Sequence, residues 1–482
     1  MSYARYLSIA AQALRDDVLP TITSDAARDQ LINSLRIIAS VAMSLENSPA
    51  DANGAASNAL LPVDLRDAFA RIAAVSDPAE NIVVSADTKA GIAGGAHWLA
   101  TTPWLDDPGQ LKIARELLAW EGQLRRQRHQ RLREAEISVS AASAQASADD
   151  QIETTLLYYL RQKLGNDHLQ IREFRKLPGG RARLTVLIAL EGHGAWPEWV
   201  VLQRDPLAKI HKWPGAATQF RLLSYVHQAG VRAPKPLLVE LDKSHLGAAF
   251  IICERMPGAP PNSMNFFAPP PPSEKFALSL AEQAGKFHAL APEPLADLLS
   301  TTLEPGIDWA ADLEQLIEDW NKLSHGPSLA MSAVFAWMRR QVGDIQPRRS
   351  LVHGDMMQHN MLVQDNEVSA LLDWESGRIG HPAEDIGYVR PLVEQLVSWD
   401  RFMEVYCANG GPRLTQQEVD YFSFRSYIWV MQAMMYARGL FEDGTMGDIR
   451  MGEIGASLIP QFLNRIASSF DQVLQREAAA DG

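Results

Sequence analysis

The chain has 482 residues, 46% of them hydrophobic and 21% charged; this ordinary globular balance excludes a wholly disordered chain, a collagen and a coiled-coil rod. A formal charge of −13 gives no global attraction for nucleic-acid phosphates. The longest apolar runs, such as Leu184–Leu190, fall far short of the ~18 residues that span a bilayer, so neither nucleic acid nor membrane is an expected partner.

In chain order, residues 1–133 read as a helical N-terminal domain. Tyr3, Leu7, Ala10, Leu14 and Val18 recur at helical spacing, which favours a helix over a cleaved leader. After Pro20 a second helix has Leu31, Leu35, Ile38, Ala42 and Leu45 on one side, and a third carries Ile113, Leu117, Trp120 and Leu124. The basic stretch 125–133 beyond it is read as a solvated helix end, with cations near the C-terminal dipole. Residues 134–150 are mostly small and polar, the composition of a flexible linker. Residues 151–256 mix strands (184–190, 199–203, 248–253) with a helix over 218–228. Residues 257–482 are mostly helical, interrupted by β-like runs around 350–373. Cys253 and Cys407 lie in dissimilar surroundings, which argues against a disulfide framework or cysteine zinc site and fits a reducing, cytoplasmic setting.

The informative segment is Leu351-Val-His-Gly-Asp-Met-Met-Gln-His-Asn-Met-Leu-Val363, followed by Leu371-Leu-Asp-Trp-Glu375. Asp355 and Asn360 share one short loop, and a hairpin between the apolar runs brings Asp373 beside Asn360. An Asp and an Asn are hard oxygen ligands of the kind Mg²⁺ takes, with nucleotide phosphates completing the octahedron. A second carboxylate that does not bind metal is then available to orient a hydroxyl and accept its proton, the division of labour in kinase-type phosphoryl transfer. The competing explanation for the trio is a set of turn-forming polar residues.

His353-Gly-Asp355, Asn360 and Asp373-Trp-Glu375 together resemble the aminoglycoside phosphotransferase / choline kinase branch of the protein-kinase-like superfamily. Gly380-His-Pro-Ala-Glu-Asp385-Ile-Gly and Lys286-Phe-His288 resemble two further elements of that family, and the likeness covers about residues 170–440. It implies an α+β, bilobal fold: a small β-rich nucleotide lobe (151–256) and a helical lobe (257–482), preceded by the helical N-terminal domain. It implies that Asp355 orients the acceptor hydroxyl, that Asn360 and Asp373 hold Mg²⁺, that Glu375 adds a metal or outer contact, and that His353 and Asp385 brace the loop. The nucleotide, ATP or GTP, is expected to meet Gly179, Gly180 and Arg181 in a glycine loop, and Glu254 and Met256 at the adenine slot.

One position departs from the pattern. Where kinases carry a phosphate-binding lysine the chain has Gln203, with Arg204 one residue later, and the usual helix glutamate is Gln219. A one-residue step on a strand turns a side chain to the opposite face, so Arg204 serves only if a bulge re-aims it. Three arrangements answer the missing lysine, in this order: Arg204 or Arg181 supplies the cation; Mg²⁺ and backbone amides suffice; or nucleotide use is weakened. Aromatic residues from Tyr388 to Tyr436 suggest a bulky apolar acceptor, or simply helix core. The overall pattern is most similar to the kinase-like domain fused to some acyl-CoA dehydrogenases. That resemblance implies a phosphotransferase acting on a small-molecule hydroxyl such as a hydroxyacyl-CoA. A binding or regulatory module with weak catalysis and an antibiotic phosphotransferase are the alternatives. The N-terminal domain is a candidate for capping the acceptor site, homodimerisation or partner binding.

Overall fold

The computed structural model describes residues 88–101, 104–107, 109–121, 149–177, 183–205, 215–261, 273–298, 308–324, 326–442 and 458–480. The helices expected before residue 88, the basic stretch, most of the linker and the loop carrying Gly179, Gly180 and Arg181 lie outside these residues. The described residues fall into two compact units.

One unit combines helices Thr88–Thr101 and 109–121 with Trp309–Leu323, Leu329–Gln341 and Ile459–Ala480, and takes in helix Gln416–Glu442 from Tyr427 onward. Of the N-terminal domain expected over 1–133, the described helices Thr88–Thr101 and 109–121 group here with these later helices. The physical reason is that helix 109–121 buries Ala114, Leu117, Leu118 and Trp120, a face that needs partners from elsewhere in the chain. Trp104 meets Phe470 edge-on at 6.4 Å, and Phe470 meets Trp337 at 6.2 Å. Buried Glu121 accepts the N–H groups of Leu329 (3.1 Å) and Ala330 (2.7 Å), capping a helix more than two hundred residues away.

The other unit carries the kinase-like elements. Its sheet has the order β1-β2-β3-β5-β4, antiparallel throughout: β1 Gln170–Lys176, β2 Leu184–Glu191, β3 Trp199–Arg204, β4 Pro236–Glu240 and β5 Phe250–Glu254. Alternation sorts its side chains. Val186, Ile188, Leu190, Val200, Leu202, Phe250 and Ile252 pack with Leu156, Tyr159 and Leu160 of helix Asp149–Leu164. Ile251 and Cys253 face the other core, with Leu222, Leu223 and Val226 of helix Ala216–Gln228. The strands around 184–190, 199–203 and 248–253 were legible from their apolar runs; β1, whose side chains are mostly exposed, has no such run.

Beyond β5 the chain is fastened by a backbone bridge: Ala259 and Val363 exchange both hydrogen bonds (3.1 and 2.8 Å). Helix Glu274–His288, capped by Ser273, leads toward a compact cluster of short strands: β6 Ser350–Val352, β7 Met361–Gln364, β8 Glu367–Leu371 and β9 Arg378–Gly380. β6 pairs with β9 and β7 with β8, all antiparallel. Asp365 and Asn366 form the two-residue hairpin turn, both at positive φ (54° and 63°). Tyr388, Tyr406, Tyr421, Phe422, Phe424 and Tyr427 are buried in helix packing, whereas Trp399 and Trp429 are half-buried and Tyr436 is exposed. Among the described residues no helix is long and apolar enough to cross a membrane.

Candidate active site

Pairing of β6 with β9 brings the two ends of the motif together, and the β7–β8 hairpin between them sets its middle. Register places Met361 opposite Leu371, and the Leu372 N–H then donates to the Asn360 carbonyl at 2.7 Å. Asn360 and Asp373 are thus neighbours, just beyond the end of the ladder.

Asp355 lies on the loop after β6. Its Oδ2 accepts from Asn360 Nδ2 at 2.9 Å and lies 3.3 Å from His359 Nε2. Its Oδ1 is buried with no protein partner. Both hydrogens of the Asn360 amide go to Asp355, to Oδ2 and to the main-chain oxygen (3.0 Å), so the amide oxygen is the end left for a cation. Asp373 has left-handed backbone (φ 60°, ψ 54°), which Asp tolerates better than most residues. Trp374, next in sequence, is fully buried, with its Nε1 donating to Leu371 O at 3.0 Å.

The loop is braced from beneath. His353 donates through Nε2 to Leu372 O (2.8 Å), and its Nδ1 accepts the Asp355 N–H (3.3 Å). One imidazole therefore links the backbone of Asp355 to the residue before Asp373. Asp385, on helix Ala383–Val393, accepts the N–H groups of His353 (2.7 Å) and Gly354 (2.8 Å) and a bond from His288 Nε2 (3.1 Å). His288 Nδ1 is in turn bonded to the Tyr406 hydroxyl at 2.9 Å.

The electrostatics follow from crowding. Burial pushes the Asp355 carboxyl up, but His359, His353 and Asn360 outweigh it and hold it below the usual carboxylate range. Burial and the charge of Asp355 raise Asp373, against the pull of Arg183, His353 and His359. Glu375 is pushed up to about 8 by burial and then by Asp373, with Arg183 opposing. Acidic groups raised by one another mark a place short of positive charge, which a divalent cation supplies. Among the described residues no three His, Cys, Asp or Glu side chains form a metal-binding group. The chain offers an amide oxygen and one or two carboxylates, the sparse hard-oxygen set that suits Mg²⁺ completed by phosphates.

The lobe built on β1 to β5 departs from expectation at the cation. Val200, Leu202 and Arg204 share one face of β3, and Arg204 donates to Leu246 O at 3.0 Å. No bulge re-aims it: Leu184 to Ala189 pair with Arg204 to Trp199 without a register break. Burial without a carboxylate lowers its pKa. Arg204 is therefore corrected from the phosphate side to the opposite face. Gln203 faces helix Ala216–Gln228, where Gln219 Nε2 donates to its Oε1 at 2.9 Å. Among the described residues, the cation that joins these two glutamines is Arg183, only 7% exposed. Its Nη1 donates to Gln219 Oε1, its Nε to Asp205 Oδ1 at 3.1 Å, and its Nη1 lies 3.5 Å from Glu375 Oε2. Glu254 ends β5, its N–H bonded to Lys235 O at 2.9 Å, and half-buried Met256 lies two residues on.

Arg183 and His359 belong to the site although no motif points to them, whereas His288 comes from the Lys286-Phe-His288 element. His359 was detectable in principle, being four residues from Asp355; Arg183 required the β2–β3 register.

Residues 173–418 match the phosphotransferase enzyme family. Acyl-CoA dehydrogenase family member 11 of Rattus norvegicus is 27% identical over 294 residues, covering 52% of this chain and 35% of that protein. Acyl-CoA dehydrogenase family member 10 of Mus musculus is 24% identical over 238 residues, covering 48% and 21%. The match thus spans about a third or less of these relatives' length. A solved structure of a putative aminoglycoside phosphotransferase from Ralstonia eutropha covers 65% of this chain and 98% of its own, at 17% identity and a TM-score of 0.49. With a family match over half the chain, spanning the loop of Asp355 and the hairpin to Asp373, the chain belongs to the phosphotransferase enzyme family.

Proposed function

We propose that the chain is an ATP- or GTP-dependent, Mg²⁺-requiring phosphotransferase that moves the γ-phosphoryl group to a hydroxyl of a small molecule, with hydroxyacyl-CoA compounds as the leading acceptor class. The single observation that carries the reading is Asp355: one carboxylate oxygen is held by Asn360 and His359, and the other is buried and unpartnered. That unpartnered oxygen accepts the proton of the acceptor hydroxyl as the acceptor oxygen forms its bond to the γ-phosphorus. The bond from that phosphorus to the β-bridging oxygen breaks, and the nucleoside diphosphate leaves. Asn360, Asp373 and Glu375 are the residues that would hold Mg²⁺, whose charge would steady the phosphate oxygens. His353 and Asp385 keep Asp355 at its place, which matters because small misplacement costs large factors in rate. The acyl-CoA acceptor class is supported by the names of the relatives.

The test is transfer of labelled γ-phosphate from ATP or GTP to a panel of hydroxyacyl-CoAs, simple alcohols, aminoglycosides and macrolides, with Asp355→Asn in parallel. Labelled product from the wild type and a loss of about 10²–10⁴ in the variant are expected. Equal rates in both sink the reading. A second reading, a nucleotide-binding module with little turnover, is favoured by the neutral Gln203–Gln219 pair. Nucleotide-dependent thermal stabilisation with no transfer to any acceptor would select it.

A further inference from the structure

In the kinase pattern a lysine on the third strand pairs with a helix glutamate, and the pair sets the nucleotide phosphates. Here both places are held by glutamines bonded to each other, and a neutral amide pair supplies no charge to a phosphate. We propose that Arg183, immediately before the neighbouring strand β2, is the phosphate-binding cation of this chain, so that the charge has moved from β3 to the approach to β2 and is steered by Gln219. The proposal rests on the reading above that the site uses a nucleotide.

Register carries the argument. Thr185 pairs with Gln203 across β2 and β3. Arg183 is two residues before Thr185, and a two-residue step returns to the same face, so Arg183 and Gln203 share a face while Arg204 does not. The contacts agree. Arg183 donates to the same Gln219 side chain that donates to Gln203, making a three-residue chain from the residue before β2 through the helix to β3. Asp205 fixes the guanidinium through Nε. On its other side Arg183 meets Glu375, two residues from Asp373. The guanidinium thus lies between the helix side chain that takes the usual glutamate's place and the acidic end of the candidate metal site, the span that a di- or triphosphate crosses. A planar fork of five donors matches two phosphate oxygens at once.

The experiment measures binding, not turnover. Wild type, Arg183→Gln, Arg183→Lys and Arg183→Gln/Gln203→Lys are titrated calorimetrically with Mg-ADP and with adenosine, and with Mg-GDP and guanosine as a parallel pair. Thermal melts without ligand establish that each variant is folded. Arg183→Gln is expected to weaken the diphosphate about ten- to hundred-fold, the worth of a charge-assisted contact, while the nucleoside binds within about twofold of wild type. Gln203→Lys in that background is expected to restore the diphosphate by returning a cation to the usual strand. Arg183→Lys keeps a charge beside Asp205 and Glu375, and so the fold, but loses the fork; about fivefold weakening is expected, and this variant carries the test if Arg183→Gln does not fold. Diphosphate binding unchanged in both single variants, or nucleoside and diphosphate weakened equally, overturns the assignment while leaving the phosphotransferase reading intact. A wild type that binds neither diphosphate overturns both.

Discussion

Asp385→Asn separates the support of the Asp355 loop from the chemistry of the loop itself. The carboxylate receives three donors: the His353 and Gly354 N–H groups and His288 Nε2. An amide of the same shape has one acceptor oxygen, and its NH₂ group is turned toward a donor. At about 1.5–3 kcal/mol for each bond to a charged group, weakening all three and losing at least one comes to about 3–5 kcal/mol. For a domain of this size that is a fall in Tm of about 10 °C, within what a folded protein survives. The pH dependence adds a second signature. Burial pushes Asp385 up, but the His288 hydrogen bond and charge and the His353 contacts outweigh it, so its carboxyl sits below the usual range in the folded protein. On acidification the unfolded chain takes up the proton first; the stabilisation is full above the ordinary aspartate value of about 3.9 and drains away as pH falls through the folded value. Asparagine does not titrate, so the gap between variant and wild type is expected to close below about pH 4. Denaturant and thermal melts from about pH 3 to about pH 7, with nucleotide-binding titrations near neutrality, read both effects. A Tm drop under about 2 °C, or a gap that stays constant as the pH falls, would refute the bracing argument.

Three further outcomes are expected. Glu418 and Thr415 form a capping box, each accepting the other's N–H (2.8 and 3.1 Å), and Arg348 adds an ion pair at 2.8 Å. Against burial, His381, Arg348 and Thr415 draw the Glu418 carboxyl down to about 2. Glu418→Gln should therefore cost about 2 kcal/mol near pH 7, allowing for solvent screening, and much less by about pH 3; equal losses at the two pH values count against it. Gly258 has φ +100°, and a Cβ there lies 2.7 Å from Val363 O, so Gly258→Ala should destabilise by about 1–3 kcal/mol; an unchanged melting temperature rejects this. Glu121→Ala strands the buried N–H groups of Leu329 and Ala330 and should cost about 2–4 kcal/mol in urea melts; a loss below about 1 kcal/mol means solvent replaces the cap.

The part of the site written within one stretch of chain was legible in advance. Asp355, Asn360 and Asp373 are spaced so that a hairpin must return the last beside the second, and the Leu372–Asn360 bond is that return. Arg183 was not legible, because its relation to Gln203 depends on which residue of β2 faces which residue of β3, and the intervening loop length does not determine this. The helix over 109–121 looked self-contained for a similar reason. Its apolar face was visible, but the partners of Glu121 at its end and of nearby Trp104 lie hundreds of residues downstream, and helical periodicity carries no address.

The fastening after β5 has a mechanical corollary. Arg255 N–H is tied to Trp199 O on the sheet (3.1 Å), whereas Pro257 O is tied to Ser369 Oγ (2.6 Å) and Ala259 to Val363 on the hairpin. Between the last anchor to one side and the first anchor to the other lie the backbone torsions of Arg255, Met256 and Pro257, the last with its φ fixed by the ring. Along this path a swing of the sheet relative to the hairpin turns on those three residues, while the Leu371 N–H bond to Arg232 O (2.7 Å) is a second tie that the same swing must keep or break.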